Sequence, residues 1–287
     1  MRTLSILAAA GLLASSGLAY AADASPSTSG WQLHGFGDLS FKNDYITPRG
    51  LVVTTRGETA QILDGLVFVS PGGIAFTLGT WTDLNPGYSK KDGNISTVNE
   101  VDVFAGVSGT LKDRWKWGMQ YIQFISGQTS VAFKDERNIE FSLAYDDKIS
   151  KNFGINPYAK LFWAFNSKSS TVVTGDAGHT FDIELGAVPT LTAGAVTFSA
   201  PTWVTVGPKS YWAGPGLKSD GNVGTFSTGL KVSTPVHFTN GAHMNVYLQA
   251  QLNHIINDNL LLAKAILNSG DHKRDNVVFG GGVGFGF

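Results

Sequence analysis

The chain has 287 residues, with 21 Lys or Arg against 22 Asp or Glu, and only 15% of its residues are charged, well below the roughly 25% of a soluble domain. This near-neutral balance, without a basic patch or stripe, argues against nucleic acid as a partner. The absence of Cys excludes a disulfide framework and a lipobox cysteine.

The first 21 residues have the features of a secretory signal peptide. Arg2 gives a positive start, residues 4–13 form a short apolar core, and Ala19-Tyr20-Ala21 is an A-x-A cleavage site. That core is too short to span a bilayer, and no later segment offers the roughly 18 apolar residues of a membrane helix. We expect residues 1–21 to be removed, 22–30 to form a polar linker, and 31–287 to form the folded domain.

The rest of the chain alternates between apolar and polar residues with the period of two that is typical of β-strands. In the last strand, Val277, Phe279 and Phe285 share one face, and the other face is nearly all glycine. The pattern predicts about twelve strands of roughly ten residues: 31–41, 59–69, 74–83, 99–108, 115–121, 138–146, 155–166, 180–187, 196–206, 224–232, 243–253 and 276–287.

Long connections alternate with short ones along the chain. Long ones follow residues 41, 83, 124, 166, 206 and 253, whereas short ones lie near residues 70, 109, 147, 189 and 235. An even-stranded outer-membrane barrel has short turns on its periplasmic side and long loops outside, whereas a β-sandwich imposes no such order. We therefore expect an all-β fold, a transmembrane antiparallel β-barrel of about 12 strands with both termini periplasmic, in the bacterial cell outer membrane of a Gram-negative organism.

The two strand faces predict what the barrel contacts. The apolar face is expected to meet outer-membrane lipids, with Trp115, Trp117, Tyr121, Trp163 and Phe165 in the aromatic girdles. The polar face is expected to line a pore, in which acidic groups outnumber basic ones and so favour cations. The predicted pore-lining residues are Asp38, Asp64, Glu100, Asp102, Glu140, Lys160, Asp182, Glu184 and Lys231.

Three short segments carry a resemblance to a known family. They are Asn43-Asp44-Tyr45 with Arg49-Gly50-Leu51, then Gly79-Thr80-Trp81-Thr82-Asp83-Leu84, then Asn99-Glu100-Val101-Asp102-Val103-Phe104-Ala105-Gly106. In this order and spacing they resemble the TorF-type family of porins, which are outer-membrane β-barrels. The resemblance covers about the first half of the folded domain and implies a porin-like channel.

The sequence predicts passive diffusion of small hydrophilic solutes, with a weak preference for cations and no cofactor. The alternatives are a barrel with a filled lumen that acts as a structural protein or adhesin, and an outer-membrane hydrolase. No His-x-Ser triplet, the usual arrangement of outer-membrane acyl hydrolases, occurs in the chain. We therefore expect the protein to have no enzymatic activity. The identity of the solute and the oligomeric state stay open.

Two further segments bear on an open path. The connection 255–267 contains Leu260-Leu261-Leu262, and Asn257 or Asp258 could cap a short helix there. This connection either folds over or into the barrel mouth, or extends the neighbouring strand. The glycine face of the last strand leaves its wall bare, so we expect any open path to follow Gly280, Gly282 and Gly284.

Overall fold

The computed structural model describes residues 30–47, 49–54, 57–86, 97–126, 136–165, 179–213, 221–237 and 243–287. The predicted signal peptide and nearly all of the linker lie outside these ranges. Among the described residues, no helix is long and apolar enough to cross a membrane.

Twelve strands form one closed antiparallel barrel, as the alternation predicts. Each strand pairs with the next along the chain, and Gln32–Lys42 (β1) also pairs with the last strand, so no edge is left open. The others are Thr59–Val69 (β4), Ala75–Leu84 (β5), Val98–Leu111 (β6), Trp115–Ser126 (β7), Glu136–Tyr145 (β8), Pro157–Ala164 (β10), Thr180–Ala187 (β11), Thr202–Val206 (β14), Val223–His237 (β15), His243–Ile255 (β16) and Asp275–Gly286 (β17).

Short strands extend the barrel wall at the end where the short turns lie. They are Phe153–Gly154 (β9), Thr190–Ala193 (β12) and Val196–Ser199 (β13), and β13 pairs with β15. The turn expected near Pro189 is instead at Gly194, where φ is +64°. The Pro189 carbonyl accepts a hydrogen bond from the Ala200 N–H at 2.8 Å, so pairing continues past the proline.

The closing seam between β1 and β17 confirms the predicted pairing of the first and last strands. Phe36 lies opposite Gly286, and Lys42 lies opposite Gly280. On the outside, the Phe285 ring covers Gly37, where a Cβ would lie only 2.2 Å from the ring. The aromatic ring thus requires the glycine beside it.

The outer face of the barrel is a belt of exposed apolar side chains. Leu248 is 71% exposed and Phe279 is 61% exposed, which would be unfavourable in water but suits contact with lipid. Trp115 packs on Tyr145 near the short turns, with ring centroids 4.7 Å apart, and Trp163 lies by Phe165 near the long loops. The exterior is therefore the surface of a membrane barrel.

The inner face differs from expectation along β1, β4, β5, β6 and β7. It carries a buried apolar cluster, termed the wall cluster, instead of polar groups alone. Its members include Phe36, Leu63, Val67, Trp81, Phe104 and Ile122.

Elements from three long connections cover the opposite end. Tyr45–Ile46 (β2) and Val52–Thr54 (β3) form a separate hairpin, and Lys209–Trp212 (α1) and Asp258–Leu267 (α2) are helices.

Candidate functional site

The connection between β1 and β4 folds inward as a hairpin, termed the lumen hairpin, whose described residues are β2, β3 and, between them, residues 47 and 49–51. The Thr47 N–H donates to the Leu51 carbonyl at 2.9 Å, and the Leu51 N–H donates to Thr47 Oγ1 at 3.1 Å. Gly50 has a φ of +89°, a conformation that glycine adopts without strain. A short polar sequence thereby makes a tight, internally bonded turn.

The root of the lumen hairpin rests on the wall of β5 and β6. Tyr45 Oη donates to Glu100 Oε2 at 2.8 Å, and the Tyr45 ring lies against Trp81, with centroids 5.3 Å apart. Tyr45 and Val53 are buried members of the wall cluster. Apolar burial and one charge-assisted hydrogen bond together anchor this side.

Arg49, at the tip of the lumen hairpin, forms an ion pair with Glu136 at the start of β8. Its guanidinium carbon lies 4.9 Å from the ring centroid of Phe124 and 5.8 Å from that of Phe162. Both rings are within the range of cation–π attraction. The tip is therefore held by charge and aromatic faces.

Gly50 brings the lumen hairpin to the far wall. Its carbonyl accepts a hydrogen bond from Asn253 Nδ2 of β16 at 3.4 Å. A Cβ on Gly50 would lie 2.1 Å from Cγ2 of Thr225 on β15, so the backbone touches the wall. The lumen hairpin thus crosses the barrel from β5 and β6 to β15 and β16.

A lid of apolar residues packs around the lumen hairpin at the long-loop end. Asn257 caps α2, because its side chain accepts from the N–H groups of Asn259 and Leu260 at 3.0 and 3.3 Å. This confirms the predicted helix and its cap, and places the connection over the barrel mouth. The buried cluster in which the lid meets the lumen hairpin consists of Tyr211, Trp212, Ile255, Leu260 and Ala263 from the lid and Leu51 and Val52 from the hairpin.

Polar contacts tie α2 to its surroundings. Asn268 Nδ2 donates to the Val52 carbonyl at 3.0 Å, which links the helix to the lumen hairpin. Lys264 is fully buried, and its Nζ lies 2.8 Å from Asp271 Oδ2 and 2.7 Å from the Lys273 carbonyl. Lid and lumen hairpin therefore form one packed unit.

All but one of the side chains expected to line the pore lie on the inner face. Asp64 is the exception, because it lies on the outer face of β4, exposed, where Thr80 Oγ1 donates to its Oδ1 at 2.9 Å. That prediction is wrong because the inner face of β4 carries Leu63 and Val67, so the face of Asp64 is not the polar one. The inner, buried residues are Asp38, Glu100, Asp102, Glu140, Lys160, Asp182, Glu184 and Lys231.

The predicted path along the glycines of β17 is filled by side chains. A Cβ on Gly282 would lie 2.6 Å from Tyr247 Oη, and one on Gly280 would lie 2.8 Å from Lys42 Cγ. Tyr247 Oη donates to Asp38 Oδ1 at 2.8 Å, and this hydrogen bond holds the Tyr247 ring against the inner surface of the wall. The expectation of an unfilled path along β17 is therefore wrong at Gly280 and Gly282.

The sequence reading missed the residues at the tip of the lumen hairpin. Arg49 enters the sequence analysis only through the family resemblance, and Glu136 falls in a connection because the predicted strand begins at residue 138. Glu136 does alternate with Asn138 and Glu140, all three buried. Extending the period of two by one step would have placed it on the inner face.

The short-turn end of the barrel holds a cavity of about 880 Å³. Most of the residues that line it are polar, among them Asp146, Lys148, Asn156, Thr190, Thr197, Ser233, His243 and Asn245. From there a row of inner-face polar residues on β15 and β16, termed the polar track, leads to the lumen hairpin. The polar track consists of Asn245, Ser233, Gln249, Lys231, Gln251 and Asn253.

Among the described residues, no group of three or more His, Cys, Asp or Glu side chains is arranged to hold a metal ion.

Comparisons with known proteins give low overall similarity. No family model matches the chain, and no curated protein matches it. Among solved structures it is similar to the NanC porin, with 10% identity, a TM-score of 0.47, and 89% of this chain and 99% of that chain covered. It is also similar to a bacterial polysaccharide outer membrane secretin (11%, 0.43, 89% and 98%) and to the outer membrane channel DcaP of Acinetobacter baumannii (10%, 0.37, 92% and 99%). Since every one of these TM-scores is below 0.5, the architecture rests on the strand pairing of the chain itself.

Proposed function

We propose that the protein is an outer-membrane channel of the TorF-type porin kind, through which small hydrophilic solutes diffuse passively, and that the lumen hairpin holds it closed. The observation that carries this proposal is the position of the lumen hairpin across the barrel. On one side of it a polar track leads to a wide polar cavity, and its tip is bound by polar and cation–π contacts. Such contacts can exchange for water when the hairpin moves out.

The charges of the inner face support a weak preference for cations. Among the described residues of the inner face, buried carboxylates outnumber buried ammonium groups. Carboxylates that ring a narrow path attract cations and repel anions. The preference is weak because Lys160 pairs with Glu184, with 4.0 Å between Nζ and Oε1.

The orientation follows from the same proposal. Short turns and both termini face the periplasm, and the lid faces the exterior, as in other outer-membrane barrels. Outer-membrane lipids solvate the apolar belt, and residues 1–21 direct export. We assign the protein no enzymatic activity.

A barrel with a filled lumen, acting as a structural protein or adhesin, is the second candidate. The wall cluster favours it, since Phe36, Trp81 and Phe104 are all buried inside the barrel. Large apolar side chains on the inner face reduce the space for solute. This candidate predicts that no change in the lumen hairpin produces conductance.

Conductance across a planar bilayer separates the two candidates. We expect rare, small openings from the refolded protein, and sustained conductance at least about tenfold larger when residues 45–53 are replaced by a Gly-Ser segment of equal length. Under a salt gradient, the reversal potential should lie on the cation side. If neither protein conducts, the filled barrel is correct; if the reversal potential lies on the anion side, the cation preference is wrong.

A further inference from the structure

The tip of the lumen hairpin sits in a pocket whose chemistry suits one kind of cation. The pocket, termed the tip pocket, is formed by Phe124, Glu136, Phe162, Asp182 and Tyr211. Strand register pairs each aromatic residue with a carboxylate: Phe124 lies opposite Glu136, and Phe162 lies opposite Asp182. Four adjacent strands thus present alternating rings and acids to the same point in the lumen.

The electrostatics of the tip pocket keep Arg49 charged. Burial opposes the charge, but Glu136, together with Asp182, holds the pKa of Arg49 well above its ordinary value. A guanidinium is planar, weakly hydrated, and stacks on aromatic faces while it donates to carboxylates. Arg49 therefore matches the pocket in charge and in shape.

The tip pocket has more hydrogen-bonding capacity than the ion pair with Glu136 uses. Asp182 and Tyr211 are fully buried, and among the described residues neither Asp182 oxygen nor Tyr211 Oη has a partner with hydrogen-bond geometry. The two side chains lie close enough to interact with each other, and Asp182 also lies near Arg49. Tyr211 has a single O–H, so even when it donates to Asp182 the second carboxylate oxygen is left for another donor. Buried polar groups in native proteins are nearly always bonded, so this surplus points to a further donor in a working state.

We infer that the tip pocket is a binding site for the guanidinium group of a permeating solute, and that Arg49 occupies it as an internal substitute for that solute. This inference rests on the proposed channel function and names its substrate class. When the lumen hairpin leaves, Glu136 and Asp182 face the lumen between two rings. A guanidinium solute can then bind where Arg49 was and pass along the polar track.

A purely structural ion pair is the alternative. Buried ion pairs add little to stability compared with apolar packing, because desolvation offsets their attraction. A pair that only fastens the lumen hairpin would need Glu136 but neither a second carboxylate nor a second ring. The two explanations differ in what happens when Arg49 is removed.

The test is calorimetric binding of ethylguanidinium to the full chain refolded in detergent micelles. Arg49→Ala should bind ethylguanidinium at least about tenfold more tightly than the wild type, in which Arg49 competes for the tip pocket. Adding Glu136→Gln to Arg49→Ala should weaken the binding of ethylguanidinium at least about tenfold, which is the effect expected from the loss of a charge-assisted hydrogen bond. N-ethylurea, which has nearly the same shape and no charge, should not bind.

Two further variants complete the design. Arg114→Ala removes an exposed arginine that bonds Tyr145 near the short turns and should bind like the wild type. The variant with residues 45–53 replaced also lacks Arg49, and it serves if Arg49→Ala does not refold.

Equal affinity of wild type and both Arg49-lacking variants, or equal binding of ethylguanidinium and N-ethylurea, would overturn the inference. Conductance is read separately on the same preparations. Binding without conductance retains the tip pocket and rejects the channel, whereas conductance without guanidinium binding retains the channel and rejects the tip pocket as a site.

Discussion

The two ends of this barrel are built differently. At the short-turn end the wall itself continues, through β9, β12 and β13, and surrounds a polar cavity of about 880 Å³. At the long-loop end, segments from three separate connections pack on one another and close the lumen with apolar side chains. One end is therefore held by strand pairing, and the other by tertiary packing between loops.

Because of this difference, we expect the strand-paired end to be the more stable one and the packed long-loop end to be the one that moves. Backbone ladders of a closed barrel open only with the barrel, whereas a packed lid can open locally at a lower free energy. The long-loop end is thus the place for a gate. A change at one end should therefore leave the other end unchanged.

The largest effect is expected from Trp212→Ala in the lid. Trp212 is fully buried in the lid cluster, and its Nε1 donates to the Asn222 carbonyl at 3.0 Å. Loss of so large a buried side chain should cost about 3–5 kcal/mol of lid packing. Hydrogen exchange should show faster exchange of the α2 and lumen hairpin amides, with the strand amides near the short turns unchanged.

Trp31→Ala is the matched control, because Trp31 is 65% exposed at the short-turn end. It should leave exchange of α2 unchanged. Faster exchange at both ends in Trp212→Ala would mean that the lid is not an independent unit.

A smaller effect is expected from Asn268→Ala, which removes the hydrogen bond from α2 to the Val52 carbonyl. The buried carbonyl loses a partner, so we expect a cost of about 1–3 kcal/mol. Limited proteolysis should cut the lumen hairpin several-fold faster than in the wild type. Asn152→Ala, in the lining of the short-turn cavity, is the control, and equal cleavage rates in the two variants would contradict the link.

The smallest effect concerns pH. The hydrogen bond from Lys264 holds the pKa of Asp271 below its ordinary value. Because the pKa of Asp271 is lower in the folded state, its ionised carboxylate stabilises the fold at pH values above the ordinary pKa of about 4. This contribution to the free energy of unfolding is lost as the pH falls through the lowered pKa. Protection factors of α2 should therefore decline below about pH 4 in the wild type and vary less with pH in Asp271→Asn. Identical profiles would exclude this contact as the cause.

Much of the fold could be predicted because the period of two persists in every strand. The twelve strands, the pairing of the first with the last, and a short helix capped at Asn257 or Asp258 all follow from local pattern. Alternation distinguishes the inner face of a strand from the outer face only where one of the two faces is clearly polar. On β4 neither face is, because Leu63 faces inward and Asp64 faces outward, so alternation assigns Asp64 to the wrong face. Asn99 is a related case: a register shift beside Asp83 turns its side chain inward, and its Nδ2 donates to Asp83 Oδ2 at 3.0 Å.

The candidate site could not be predicted, for a different reason. The partners of Arg49 come from β7, β8 and β10, some 75 to 113 positions away in the sequence. Nothing in the sequence of a polar connection indicates that it folds inward. The same holds for Tyr247, whose ring lies over Gly282 on the inner wall because its Oη donates a hydrogen bond to the distant Asp38. Contacts between distant segments decide whether a lumen is open, and alternation carries no information about them.

The most direct test of the central claim is to lock and release the lumen hairpin in one protein. The chain has no Cys, so Arg49→Cys with Glu136→Cys introduces one thiol pair, which a short bis-methanethiosulfonate linker can join across the lost ion pair. We predict that the linked protein is closed in a planar bilayer and that reduction with dithiothreitol opens it, with conductance at least about tenfold higher. Equal conductance before and after reduction would contradict the claim that this hairpin closes the lumen.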